Sequence, residues 1–292
     1  MRPLRYLQLD VFPASPGGGN PLGVVIDAQG WTDADMQRFA AWTNLVETTF
    51  VLPAQTDKAS YTLRIFTPTC EISFAGHPTI GSAHAVLETG FAHPRAGTLV
   101  QQCRAGMLPI RVEQNDNARK LFVQAPPARI LHEDRDVEPM LRAALGDRTL
   151  GALPPACVEG GRRWWLAELA SEAAVRDWQP DHVAIAALAR AGDCLGLCVF
   201  ARSQASDHDL VVRAFPAGVG IVEDPASGAA NGLIAAYIAQ CEPHGRLTHG
   251  YRVSQGREMG HDAAIAIRMD ADGSVWVGGR TRTVIDGMLA WS

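Results

Sequence analysis

Concentrated basic charge is missing from this 292-residue chain: no stretch collects more than a few lysines or arginines, and 26 basic against 31 acidic residues leave a formal charge of −5. A nucleic-acid binder needs a basic face to neutralise phosphates, so that class is excluded and a small molecule is the expected partner. No apolar run approaches the roughly 18 residues of a membrane-spanning helix, which excludes a membrane partner of that kind. Residues Met1 to Asp10 carry two arginines and then alternate like a strand. No export signal follows them, and a cytoplasmic protein is expected.

Cysteine is also sparse. Cys70, Cys103, Cys157, Cys194, Cys198 and Cys241 are scattered over a long chain. That spacing is no disulfide framework, and it predicts reduced core thiols. Cys194 and Cys198 form a C-x3-C, but their segment reads as a buried strand without a second Cys or His pair, so no zinc site and no metal is expected. Gly17-Gly18-Gly19 does not open a helix after a strand, which excludes a dinucleotide fingerprint and leaves a loop. Arg162-Arg163-Trp164-Trp165 lacks a basic surround, so it predicts a strand with an aromatic core face rather than a base-stacking platform.

What is present is a core: 47% of residues are hydrophobic and 20% charged, over a length that suits one large domain or two. An internal repeat favours two. Leu63-Arg64-Ile65-Phe66 matches Val212-Arg213-Ala214-Phe215, with the arginines 149 positions apart (213 less 64), and the strand around Val51 matches that around Phe200 at the same offset. After each matched segment come a tight turn and a small-residue helix, at Gly76-His77-Pro78 and at Asp224-Pro225-Ala226.

Within the first copy, Thr32 is placed to cap a helix whose Met36, Phe39, Ala40 and Thr43 fall on one face, ending near Asn44. Residues 48–52 and 61–66 read as strands bounded by Pro53 and Pro68, and 80–87 as a helix that Gly90 terminates. His77 falls at the expected N-cap before Pro78, although histidine is a poor cap, and Asp224 falls at the expected N-cap before Pro225. Both helix starts would offer free N–H groups to an anion, which makes Gly76 to Thr79 and Ser227 to Ala230 candidate binding turns. Glu47 lies between Val46 and Phe50. It is either a surface residue at a helix-to-strand turn or, if desolvated, a carboxylate whose raised pKa suits acid and base work.

Four ordered motifs carry a resemblance: Phe12 with Gly19-Asn20-Pro21-Leu22-Gly23-Val24-Val25, Asn44 to Val51, Phe74 to Thr79, and Glu223 to Gly228. Together they resemble the PhzF family of phenazine-biosynthesis isomerases over nearly the whole chain. The resemblance implies an α/β (α+β) protein of diaminopimelate epimerase-like fold. Two similar lobes, 1–119 with 279–292 and 120–278, would each wrap a mixed sheet around a central helix, with the active site between them and the strand near 281–289 returning to the first lobe. It implies a cofactor-independent isomerase and a homodimer.

The resemblance assigns the proton transfer to Glu47, a pocket position to His77 and substrate contact to Asp224, so that the three would converge. Substrate-binding positions are Gly76, Thr79, Ser227, Gly228 and Ala229. The racemases of this fold carry a cysteine at each helix start, and neither turn here has one. The expected reaction is a shift of a proton and double bonds on a small carboxylate similar to trans-2,3-dihydro-3-hydroxyanthranilate. Val46 and Ala229 stand where serines are expected, which leaves open a racemase-like or epimerase-like enzyme on another small acid, or a ligand-binding homologue without activity.

Overall fold

The repeat in the sequence returns as a repeat of strand pairings. The computed structural model describes residues 3–115, 118–134 and 137–291. In chain order the elements are β1 (Leu4–Val11), β2 (Asn20–Ile26), α1 (Asp33–Thr43), β3 (Thr48–Leu52), β4 (Tyr61–Phe66), β5 (Glu71–Ile72), α2 (Gly76–Glu88), β6 (Thr98–Cys103), β7 (Gly106–Asn115) and β8 (Ala118–Gln124). There follow β9 (Arg129–Glu133), α3 (Pro139–Leu145), β10 (Ala156–Gly160), β11 (Arg162–Glu168), α4 (Glu172–Arg176), α5 (His182–Ala191), β12 (Gly196–Arg202) and β13 (Leu210–Phe215). The last are α6 (Gly228–Cys241), β14 (Gly250–Gln255), β15 (Ala263–Met269), β16 (Val275–Gly279) and β17 (Thr281–Leu289). The chain divides into two units, Met1–Gln124 with Gly278–Ser292 and Ala125–Val277.

In the first unit β1 pairs antiparallel with β17 and with β2, β2 runs parallel to β3, β3 antiparallel to β4, β4 parallel to β6, and β6 antiparallel to β7. The second unit repeats that order. β10 pairs antiparallel with β9 and β11, β11 runs parallel to β12, β12 antiparallel to β13, β13 parallel to β14, and β14 antiparallel to β15. Each parallel step needs a crossover. In both units a helix that starts beyond the fourth position of this order, α2 or α6, supplies one of them.

The matched arginines do matched work. Arg64 grips Glu71 with Nε and Nη2, at 2.9 and 2.6 Å, and lies over the Phe66 ring. Arg213 grips Glu223 in the same way at 2.9 Å twice and lies over Phe215. The repeated residue is therefore a fork that pins the loop after its strand.

The first helix is capped as expected. Thr32 Oγ1 accepts the Asp35 N–H while the Asp35 carboxylate accepts the Thr32 N–H, Met36, Phe39 and Ala40 are buried, and Asn44 ends the helix in the left-handed region at φ 53°. Phe39 joins Tyr6, Trp31, Phe50 and Trp291 in an aromatic cluster. Trp164 and Trp165 are both buried. Adjacent strand residues point to opposite faces, so β11 is covered on both sides rather than on the one expected.

α2 is buried from Gly76 to Val86, with no solvent face, and it packs on β1 and β2. A Cβ on Gly81 would stand 2.5 Å from Leu22 Cδ2 and 2.9 Å from Val11 Cγ2. Alanine is the better helix former by about 1 kcal/mol. The overpacked interface costs about 1–3 kcal/mol, so Gly81→Ala is expected to lose up to about 2 kcal/mol net in urea unfolding. A stabilised variant would mean that the strands yield to the methyl group.

Candidate active site

Glu47 and His77 are brought together inside the first unit. After Asn44 the chain turns through Leu45 and Val46 into β3, which is tied down on both sides: Thr48 is paired with Gly23 and Phe66, and Thr49 Oγ1 meets Ser82 Oγ of α2 at 2.8 Å. Glu47 shares the parity of Thr49 and so lies toward α2, whereas Phe50 points into the α1 cluster on the other face. The expected shielding of Glu47 by Phe50 gives way to shielding from the side of α2. Glu47 is 8% exposed and His77 5%, with His77 Nε2 at 3.3 Å from Glu47 Oε2.

Burial pushes the His77 pKa down from its ordinary 6.5 to about 3. The imidazole is therefore neutral around pH 7, and its contact with Glu47 is not an ion pair in spite of the short distance. A consequence for stability follows. Unfolded His77 takes up a proton below pH 6.5 that the folded chain refuses until about pH 3, so this contribution is complete above 6.5 and lost as pH falls through the interval. His77→Gln is expected to flatten the acid limb by about 1.4 kcal/mol per pH unit relative to the parent, read from urea midpoints between pH 7 and 4. Parallel limbs would show that His77 titrates in the folded chain.

Asp10, not among the residues expected from the sequence, organises the neighbouring loop. Its carboxylate accepts the N–H groups of Gly17 and Gly19, each at 2.7 Å. Gly19 must be glycine, because a Cβ there would stand 2.2 Å from the Val11 carbonyl oxygen. The pair sets Asn20, fully buried, opposite Val11. An aspartate closing a strand ahead of a glycine run was the signal available.

Both helix starts lie later or earlier than the sequence suggested. α2 is capped at Ala75, without a side-chain bond, so His77 is the second helical residue and Pro78 the third. The first intrahelical bond runs from Thr79 N–H to the Ala75 carbonyl at 3.2 Å. Pro78 therefore costs nothing, because an N–H there would have no partner within the helix. That leaves the Gly76 and His77 N–H groups facing out of the helix start. Thr79 is fully buried, and its hydroxyl accepts from Gln101 Nε2, which places it in a core network with Tyr61.

In the second unit the N-cap is Ser227, not Asp224, and Pro225 precedes the helix. Ser227 Oγ accepts the Ala230 N–H at 3.4 Å. Asp224 instead shapes the turn: its carboxylate accepts the Ala226 N–H, and its carbonyl accepts Gln255 Nε2 at 2.7 Å. Ser227, Gly228 and Ala229 thus gather at the start of α6, with the Gly228 and Ala229 N–H groups ahead of the first intrahelical bond, from Asn231 to the Ser227 carbonyl. Ala229 is exposed. Glu223 is committed to Arg213.

His84, further along α2, bonds Thr283 Oγ1 at 3.2 Å. Among the described residues no three metal-ligating side chains come together. No helix among them is long and apolar enough to cross a membrane.

Residues 9–287 match the family described as PhzC-PhzF, phenazine biosynthesis-like protein. The trans-2,3-dihydro-3-hydroxyanthranilate isomerase of Pseudomonas aeruginosa is 33% identical over 272 residues, covering 92% of this chain and 91% of that one. A Schizosaccharomyces pombe protein named Antisense-enhancing sequence 1 is 32% identical over 290 residues, 97% of each. Among solved structures, a Bacillus anthracis phenazine biosynthesis protein of the PhzF family superposes with a TM-score of 0.84 at 24% identity, covering 100% of both chains.

Proposed function

Because the chain belongs to the PhzC-PhzF family of phenazine biosynthesis-like proteins and is an isomerase, we propose that it moves a proton and double bonds within one small carboxylate substrate, with Glu47 as base and then acid and with no cofactor. The observation that supports this most is the buried Glu47 in contact with a neutral His77. A carboxylate can remove a proton from one carbon and return it to another on the same face. The electron pair released shifts the intervening double bond, so nothing is oxidised and no co-reactant is consumed. Neutral His77 adds no second charge beside the carboxylate.

The substrate's own carboxylate suits the start of α2, where two unpaired N–H groups and the positive end of the helix dipole favour an anion. Trans-2,3-dihydro-3-hydroxyanthranilate, named for the Pseudomonas aeruginosa relative, belongs to this class. Val46, beside Glu47, supplies no hydroxyl to it, so weaker binding than by a serine-bearing relative is expected. The test is turnover of that compound by chelator-treated protein, followed by proton NMR in deuterated water. A new carbon-bound hydrogen or deuterium at full rate supports the reading. Activity that appears only on adding a metal or an organic cofactor would sink it.

A further inference from the structure

Cys157 on β10 and Cys194 in the turn between α5 and β12 stand 37 positions apart in sequence, yet their sulfurs lie 3.7 Å from each other. Both are free thiols, and both belong to the second unit, whereas Glu47 belongs to the first. The backbone fixes each side of the contact. Cys157 is paired across the sheet with Trp165 and His132, while the Cys194 N–H donates to the Ala189 carbonyl at 2.9 Å and the Leu195 N–H to the Arg163 carbonyl at 2.7 Å. From sequence alone these residues are ordinary core thiols. Two packed thiols held in register from different elements are also a disulfide awaiting an oxidant, since closing to a bond length of about 2.05 Å needs under 2 Å of sulfur movement.

We propose that Cys157 and Cys194 are a reversible oxidation site that forms an intramolecular disulfide on exposure to a peroxide. Surface residues flank the pair: Arg163 is 42% exposed and Asp193 97%, so the thiols lie just beneath solvent. The hydrogen bond across the pair, helped by Arg163, holds the Cys157 thiol below its ordinary range, and the same bond pushes Cys194 up. The Cys194 thiol donates to the Gly192 carbonyl at 3.2 Å, which holds its proton in place and leaves Cys157 as the attacking sulfur. Its thiolate attacks one peroxide oxygen, the O–O bond breaks, and hydroxide leaves and is protonated to water, which makes Cys157 a sulfenic acid. Cys194 sulfur then attacks Cys157 sulfur, the S–O bond breaks, and the departing hydroxide leaves as water with the Cys194 proton. Two thiols lose two electrons and one peroxide becomes two waters.

The experiment uses the full chain, reduced with dithiothreitol, desalted, treated with hydrogen peroxide and alkylated with N-ethylmaleimide under denaturing conditions. Non-reducing peptide mass spectrometry should show Cys157 and Cys194 peptides joined, two hydrogens lighter than their sum, and separated again by dithiothreitol. The oxidised chain should melt roughly 5 °C higher, because the bridge restrains the unfolded state. Cys194→Ala should leave a Cys157 sulfenic acid that dimedone traps, whereas Cys157→Ala should leave Cys194 unlabelled. Oxidation confined to exposed Cys70, with Cys157 and Cys194 both fully alkylated, would overturn the proposal. Equal dimedone labelling of the two single variants would overturn the order of attack, with Cys157 first.

Discussion

Replacing Glu47 with glutamine is expected to lower kcat by about 10²–10⁴-fold, the range that a positioned general base contributes. The variant should keep its fold. Glutamine matches glutamate in shape and fills the same buried volume between β3 and α2, beside His77 Nε2, which stands 3.3 Å from the carboxylate. What it cannot do is take a proton. The expected pattern is therefore a collapse of kcat with KM within a few-fold and unchanged circular dichroism, since the lost interaction belongs to the transition state rather than to binding. Glu47→Asp separates position from chemistry, because it keeps the base but withdraws it by one methylene group. It should retain part of the activity that glutamine loses. If Glu47→Gln raised KM and left kcat intact, Glu47 would be a binding residue, and if neither changed, the base would be elsewhere.

How much of this was legible in the sequence depended on whether a feature is local. Strands 48–52 and 61–66 have the expected bounds because β-branched and aromatic residues end at proline in both cases. The cap at Thr32 was legible because a capping box is a four-residue object. The repeat was legible through one arginine, and its meaning waited for the structure, since the glutamates that the arginines grip come at different spacings, seven residues after Arg64 and ten after Arg213. The helix starts were misplaced for a related reason. Proline marks a first turn but not which position of it, so the sequence places Pro78 first where it is third, and Pro225 inside a helix that Ser227 opens. The contact of His77 with Glu47 joins a turn to a helix across thirty residues of sequence. No periodicity encodes such a contact. Asp10 was missed because its work is to accept loop N–H groups, which leaves no pattern beyond the glycines it binds.

The two matched arginines allow one substitution to be compared in two settings. Arg213→Ala is expected to cost about 3–5 kcal/mol, the usual loss when one partner of a buried ion pair is removed. Arg213 and Glu223 side chains are 5% and 9% exposed, so the glutamate would be left with its charge in the interior. The backbone carbonyls of Val175 and Trp178, which accept from Arg213 Nη1, would lose their donor as well. Arg64→Ala should cost less, about 1–2 kcal/mol. Arg64 is 20% exposed, Glu71 keeps a second cation in Arg104 at 2.6 Å, and its other partner Asp33 is 79% exposed and solvated. The measurement is urea unfolding of the full chain and each variant. Adding Glu223→Leu to Arg213→Met should recover most of the loss, because a buried pair replaced by apolar residues no longer strands a charge. Equal costs at the two positions would show that the forks act through loop geometry, which they share, and not through burial, in which they differ.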